Sequence, residues 1–134
     1  MSFEPGHLLV VDDNKVNRLL IARNLEQQGH KVAFAENGRQ ALEILRCQSF
    51  DLVLLDIEMP EMDGLQVLEQ LTHDPALRHI PVIMISSVEE LASVVKCIEM
   101  GAEDYLHKPI NPVLLKARIG ASLEKSGCAI CTAS

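Results

Sequence analysis

The sequence predicts a doubly wound α/β domain, a parallel sheet of five strands with helices on both faces. Three observations carry this. Short apolar runs alternate five times with segments of helical spacing, the pattern of βαβ units. Two of the runs, Leu52 to Leu55 and Ile80 to Ile85, are apolar on both faces, as buried parallel strands are. A polar group follows almost every run: Asp12-Asp13, Asp56, Ser86 and Lys108.

His7 to Val11 is the first strand, and Asn14 can cap the helix after it. Val16, Leu19, Leu20, Ile21 and Leu25 give that helix its spacing, and Gly29 stops it. Lys31 to Ala35 is the second strand. Asn37-Gly38 marks a turn or cap before a helix carrying Ala41, Leu42, Ile44 and Leu45. The third strand, Leu52 to Leu55, delivers Asp56 at its exit, and Pro60 and Gly64 are expected to hold the next residues out of a helix. Leu65, Val67, Leu68 and Leu71 form the third helix, ended by Asp74-Pro75. The fourth strand is Ile80 to Ile85, with Pro81 near its start and Ser86-Ser87 closing it. Leu91, Val94, Val95 and Ile98 form the fourth helix, stopped by Gly101. Glu103 to Leu106 is a short fifth strand. Pro112 opens a last helix that runs to about Glu124.

One domain of residues 6–125 is expected from 134 residues, with 126–134 as a tail that is disordered or marks an arbitrary end. The net charge of −7, from 19 acids and 12 bases, argues against a nucleic-acid surface. One Tyr, three Phe and no Trp argue against base stacking and flavin stacking. No apolar run approaches the ~20 residues of a membrane span, and the N-terminus lacks the pattern of a signal peptide. A cytoplasmic protein with reduced thiols is therefore expected. Cys47 and Cys97 fall within helical patterns and read as core or boundary residues. The Cys128-Ala129-Ile130-Cys131 pair has no partner Cys/His pair nearby, so a metal or redox role is not favoured.

If the strand order is 2-1-3-4-5, the polar strand ends converge on one crevice at the switch point of the sheet, where ligands of open α/β sheets bind. Crowded carboxylates repel, and a hard divalent cation such as Mg²⁺ relieves that repulsion. Mg²⁺ commonly pairs with phosphate, yet no glycine-rich nucleotide loop is present. The phosphoryl group must then come from another donor, and a carboxylate can accept it as an aspartyl-phosphate. Lys108 can neutralise charge on the transferring oxygens, and the Ser86 hydroxyl can donate to them. Each residue has a plainer explanation alone: a helix cap for Asp12 or Asp13, a strand-end hydroxyl for Ser86, a solvated lysine for Lys108. Their joint position makes the plainer explanations poor.

Over residues 6 to 125 the chain resembles the receiver domain of two-component response regulators. The resemblance rests on Val10-Val11-Asp12-Asp13-Asn14, Asp51 to Pro60, Pro81 to Ser86, and Gly101 to Leu106 with Lys108-Pro109. It implies the flavodoxin-like (βα)5 fold with order 2-1-3-4-5. It implies Asp56 as phosphoacceptor, and Asp12, Asp13, Asp56 and the Glu58 backbone carbonyl as Mg²⁺ ligands. Ser86 and Tyr105 would be the switch residues and Lys108 the lysine on the phosphoryl group. Glu58 and Val88 fall at positions that tune loss of that group. The donor would be a phosphohistidine on a sensor histidine kinase or histidine phosphotransfer protein. The signal would leave through helix four, strand five and helix five, to an output domain or protein. Asn17-Arg18 after Asp12-Asp13-Asn14 resembles receivers embedded in larger signalling proteins. The Leu115 to Lys125 run resembles receivers that continue into an output domain, sometimes a nucleotide cyclase.

Three other functions compete with this one. A metal-dependent aspartyl-phosphate phosphatase of the haloacid dehalogenase class would want a second Asp where Glu58 stands. A receiver-shaped interaction module would need no phosphorylation. A flavin protein would need loop aromatics that this chain lacks. Leu91, Val94, Val95 and Ile98 leave open whether helix four supplies core or the surface of a homodimer.

Overall fold

The computed structural model describes residues 6–59, 62–87, 91–108 and 110–133, with side chains described as far as residue 123. Ten elements alternate along it: β1 His7–Val11, α1 Lys15–Gln27, β2 Lys31–Ala35, α2 Gly38–Cys47, β3 Leu52–Asp56, α3 Gly64–His73, β4 Val82–Ser86, α4 Leu91–Glu99, β5 Asp104–His107 and α5 Pro112–Ala133. The strands are all parallel, in the order β2-β1-β3-β4-β5. This is the flavodoxin-like sheet expected from the alternation and the resemblance.

Side chains alternate across each strand, so the sheet builds two cores. Leu8, Val10, Leu52, Leu54, Ile83, Ile85 and Leu106 face Ile21 and Leu25 of α1 and Leu115 and Ile119 of α5. Leu9, Val11, Val53, Leu55, Val82 and Met84 face Ala41, Leu42 and Leu45 of α2, Val67, Leu68 and Leu71 of α3, and Cys97 of α4. Every residue of β3 and β4 is buried, Asp56 and Ser86 included.

Several boundaries differ from the sequence expectation. β4 begins at Val82, because Ile80 closes the preceding turn and the Pro81 carbonyl accepts from Val53 N. β5 runs from Asp104 to His107 instead of Glu103 to Leu106, and β3 takes in Asp56. Gly64 does not keep the chain out of a helix but opens α3, with Asp63 as N-cap in a reciprocal capping box with Gln66. α5 continues to Ala133, past the end expected near Glu124. The Cys128 and Cys131 side chains, like Pro60, Val88 and Pro109, lie outside the described residues.

The apolar stripes also divide differently. α1 buries Ile21, Ala22 and Leu25 but leaves Val16, Leu19 and Leu20 exposed. In α4 only Cys97 is fully buried; Leu91, Val95 and Ile98 are exposed, so this helix supplies surface more than core. Cys47 is exposed.

Candidate phosphoryl-acceptor and metal site

Strand register brings the polar ends together. Val11 pairs with Leu55, so Asp12 follows β1 beside Asp56 at the end of β3. Asp56 pairs with Ile85, and Ile57 N donates to Ile85 O, which sets Ser86 one step beyond on β4. Ser86 pairs with His107, and Lys108 N donates to Ser86 O at 2.8 Å. Asp12, Asp56, Ser86 and Lys108 thus meet along one edge of the sheet.

Asp12 and Asp56 are both 1 % exposed, whereas Asp13 is exposed. One carboxylate oxygen from each of the three lies within 4.8 Å of the others. Asp12 does not cap α1. Its Oδ1 accepts from Asn14 N at 2.8 Å, and Asn14 itself caps the helix through Asn17 N. Arg18, one turn into α1, donates to Asp12 O at 2.7 Å and reaches Glu36 at 3.8 Å. Asp56 Oδ1 accepts from Glu58 N at 3.3 Å. Lys108 Nζ lies 3.1 Å from Asp56 Oδ1 and 3.5 Å from Asp12 Oδ2.

Burial, then the charge of Asp12, raises the Asp56 carboxyl from 3.8 to about 7, against the opposing pull of Lys108. Burial alone would lower Lys108, but the charges of Asp56 and Asp12 outweigh it and hold the ammonium above its usual value. One lysine does not neutralise this pocket. Asp12 Oδ2 and Asp56 Oδ2 are buried and accept no hydrogen bond. Buried carboxylate oxygens without donors are costly, and a hard cation with oxygen ligands completes them. The carboxylates of Asp12, Asp13 and Asp56 therefore fit a hard divalent cation such as Mg²⁺.

The Glu58 side chain reaches the end of β4, beside the pocket. It accepts from Ser87 N at 2.8 Å, from the Ser87 hydroxyl in a short contact, and from the Ser86 hydroxyl. Burial would raise the Glu58 carboxyl, yet these bonds and the Lys108 charge bring it below its usual value. Tyr105 stands half-buried on β5 against the core beneath α4. Sequence reasoning missed Arg18 as the support of Asp12, read Ser87 only as the close of the fourth strand, and gave His107 no role. His107 Nε2 lies 3.1 Å from Ser87 O.

A twisted parallel sheet with an acid pocket, a lysine and a hydroxyl at its switch point defines a class of phosphorylation-switched signalling domain. The chain belongs to the response regulator receiver domain family, whose model matches residues 8–120. It is 38% identical over 119 residues to a probable transcriptional regulator, ycf27, of Cyanidium caldarium, covering 89% of this chain and 47% of that protein. It is 40% identical over 117 residues to a probable cyclic di-GMP phosphodiesterase of Vibrio cholerae, covering 87% of this chain and 26% of that one. The chain therefore spans half or less of the length of these two curated relatives. Among solved structures, the signal receiver domain of a histidine kinase from Syntrophus aciditrophicus superimposes with a TM-score of 0.83 at 33% identity, covering 90% of this chain and 91% of that one. This chain is thus a two-component receiver domain, a signalling module switched by phosphorylation. Among the described residues, no helix is long and apolar enough to cross a membrane.

Proposed function

We propose that Asp56 accepts a phosphoryl group from a phosphohistidine of a sensor histidine kinase or histidine phosphotransfer protein. The observation that carries this is the state of the Asp56 carboxylate. One oxygen is held by Lys108 and the other is buried without a donor. An Asp56 oxygen would form the new P–O bond as the donor's P–N bond breaks, the electron pair leaving with the imidazole. Asp12, Asp13, Asp56 and the Glu58 backbone carbonyl would hold Mg²⁺. When bound, that ion would neutralise charge on the transferring oxygens and so lower the barrier to attack. Lys108 would pair with a phosphoryl oxygen, and the Ser86 hydroxyl would donate to another.

Tyr105 would move inward once Ser86 is drawn to the phosphoryl group, biasing a two-state element. The change would leave through α4, β5 and α5, where Leu91, Val95, Ile98, Val113 and Leu114 are exposed. That surface would meet an output domain or protein, or a second copy of the chain. A nucleotide cyclase is one such output. The two relatives differ here, one a probable transcriptional regulator and the other a probable cyclic di-GMP phosphodiesterase. The proposed setting is the cytoplasm, where ATP-dependent kinases act. The chain would act only on its own phosphoryl group and not as a phosphatase of other substrates. Glu58, the residue a phosphatase would use as second acid, is committed to Ser87.

Intact mass after incubation with acetyl phosphate and Mg²⁺ tests the proposal. One acid-labile phosphoryl group is expected on the wild type and none on Asp56→Asn. An unmodified wild type, with beryllofluoride also failing to perturb it, would instead support an interaction module that works without phosphorylation.

A further inference from the structure

We propose that Glu58 and Ser87 form a resting-state latch, in which the Glu58 carboxylate occupies the donors that an incoming phosphoryl group needs. This rests on the acceptor role proposed for Asp56. A phosphoryl group on Asp56 needs hydrogen-bond donors on its β4 side. The described donors there are the Ser86 hydroxyl and the amide and hydroxyl of Ser87, one and two residues beyond the Asp56–Ile85 pair. All three are bonded to Glu58. Ser87 N lies 2.8 Å from Oε1 and 3.3 Å from Oε2, the Ser87 hydroxyl makes a short contact with Oε1, and the Ser86 hydroxyl donates as well.

The Ser87 peptide is held from its other side too. Its carbonyl oxygen accepts from His107 Nε2 at 3.1 Å, so that nitrogen carries the ring proton. His107 is paired with Ser86 in the sheet. Ser87 is thus clasped between the loop after β3 and the end of β5. A carboxylate and a phosphoryl group are both anions with acceptor oxygens, so they compete for the same donors. Phosphorylation must break the Glu58 bonds before Ser86 can turn to Asp56. Glu58 and Ser87 are positioning residues that oppose the switched state.

Two measurements on wild type, Glu58→Ala, Ser87→Ala and the double variant test the latch. The first is the beryllofluoride concentration that half-saturates each protein in Mg²⁺. Glu58→Ala should lower it about tenfold, as expected for loss of a charge-assisted bond that opposes binding. The effects of the two substitutions should be non-additive, because each breaks the same contact. The second is hydrogen exchange of the Ser87 amide without metal or phosphoryl analogue, which should speed up in Glu58→Ala. Strictly additive effects, or unchanged Ser87 exchange, would overturn the latch alone. A wild type that binds no beryllofluoride would overturn the acceptor role of Asp56 and the latch with it.

Discussion

Lys108 Nζ sits between two buried carboxylates, 3.1 Å from Asp56 Oδ1 and 3.5 Å from Asp12 Oδ2. Removing one partner of a buried ion group leaves charge without compensation. Lys108→Ala should therefore lose about 1–3 kcal/mol of stability in EDTA at pH 8, the side chain's partial exposure reducing the full cost. Urea denaturation checks this, and Mg²⁺ should restore part of the loss by binding only the folded chain.

Asp56 gives a pH signature. Its carboxyl is raised from 3.8 to about 7. Between those values the folded chain holds a proton that the unfolded chain has released, so stability falls as pH rises through this window. The loss is present in full above about pH 7 and absent below about pH 4. Asp56→Asn removes it. In EDTA at pH 8 the variant should exceed wild type by about 2–4 kcal/mol. The two should converge near pH 4. Mg²⁺ should narrow the gap at pH 8, and calorimetric Mg²⁺ affinity of wild type should weaken as pH drops below 7, where protons compete for Asp56.

Arg18 holds the Asp12 backbone carbonyl at 2.7 Å. Supporting partners of metal ligands are worth about 10–100-fold in affinity. Arg18→Ala should weaken Mg²⁺ binding about tenfold, near the lower limit, because the bond is to the backbone and not to the ligating carboxylate. Titration calorimetry with the circular dichroism spectrum as a folding control reads this directly.

Gly64 is where the loop after Asp56 returns to the sheet. A Cβ there would lie 2.4 Å from Asp56 O and 2.8 Å from Ile57 Cα, both backbone atoms that cannot rotate aside. Gly64→Ala should cost about 2–4 kcal/mol. Gly38 offers a contrast, since its nearest neighbour, at 2.6 Å, is a Val67 side-chain atom. Gly38→Ala should be the milder of the two in parallel urea titrations.

The strands were legible because their apolar runs end on polar residues. β1 and β2 have the expected limits, β3 and β4 each take in the polar residue expected just beyond them, and Pro81 and the short β5 blurred the rest. Helix faces were harder. α1 is apolar at Val16, Leu19 and Leu20 as well as at Ile21 and Leu25, and spacing alone does not say which stripe meets the sheet. The acids and Lys108 could be found because each follows a strand, and parallel register does the rest. Ser87 also follows a strand but reads as its plain close, and His107 and Arg18 carry no such mark. Their contacts depend on where Glu58 turns and on how α1 leaves β1, which only the folded chain sets.

The most direct measurement is to reduce the phosphorylated protein with borohydride, which converts an aspartyl-phosphate to homoserine, and to locate the product by peptide mass spectrometry. Homoserine at position 56 alone, formed only when Mg²⁺ was present during phosphorylation, is predicted. Homoserine at another acid, or none in a protein that has gained phosphoryl mass, would contradict the assignment of Asp56.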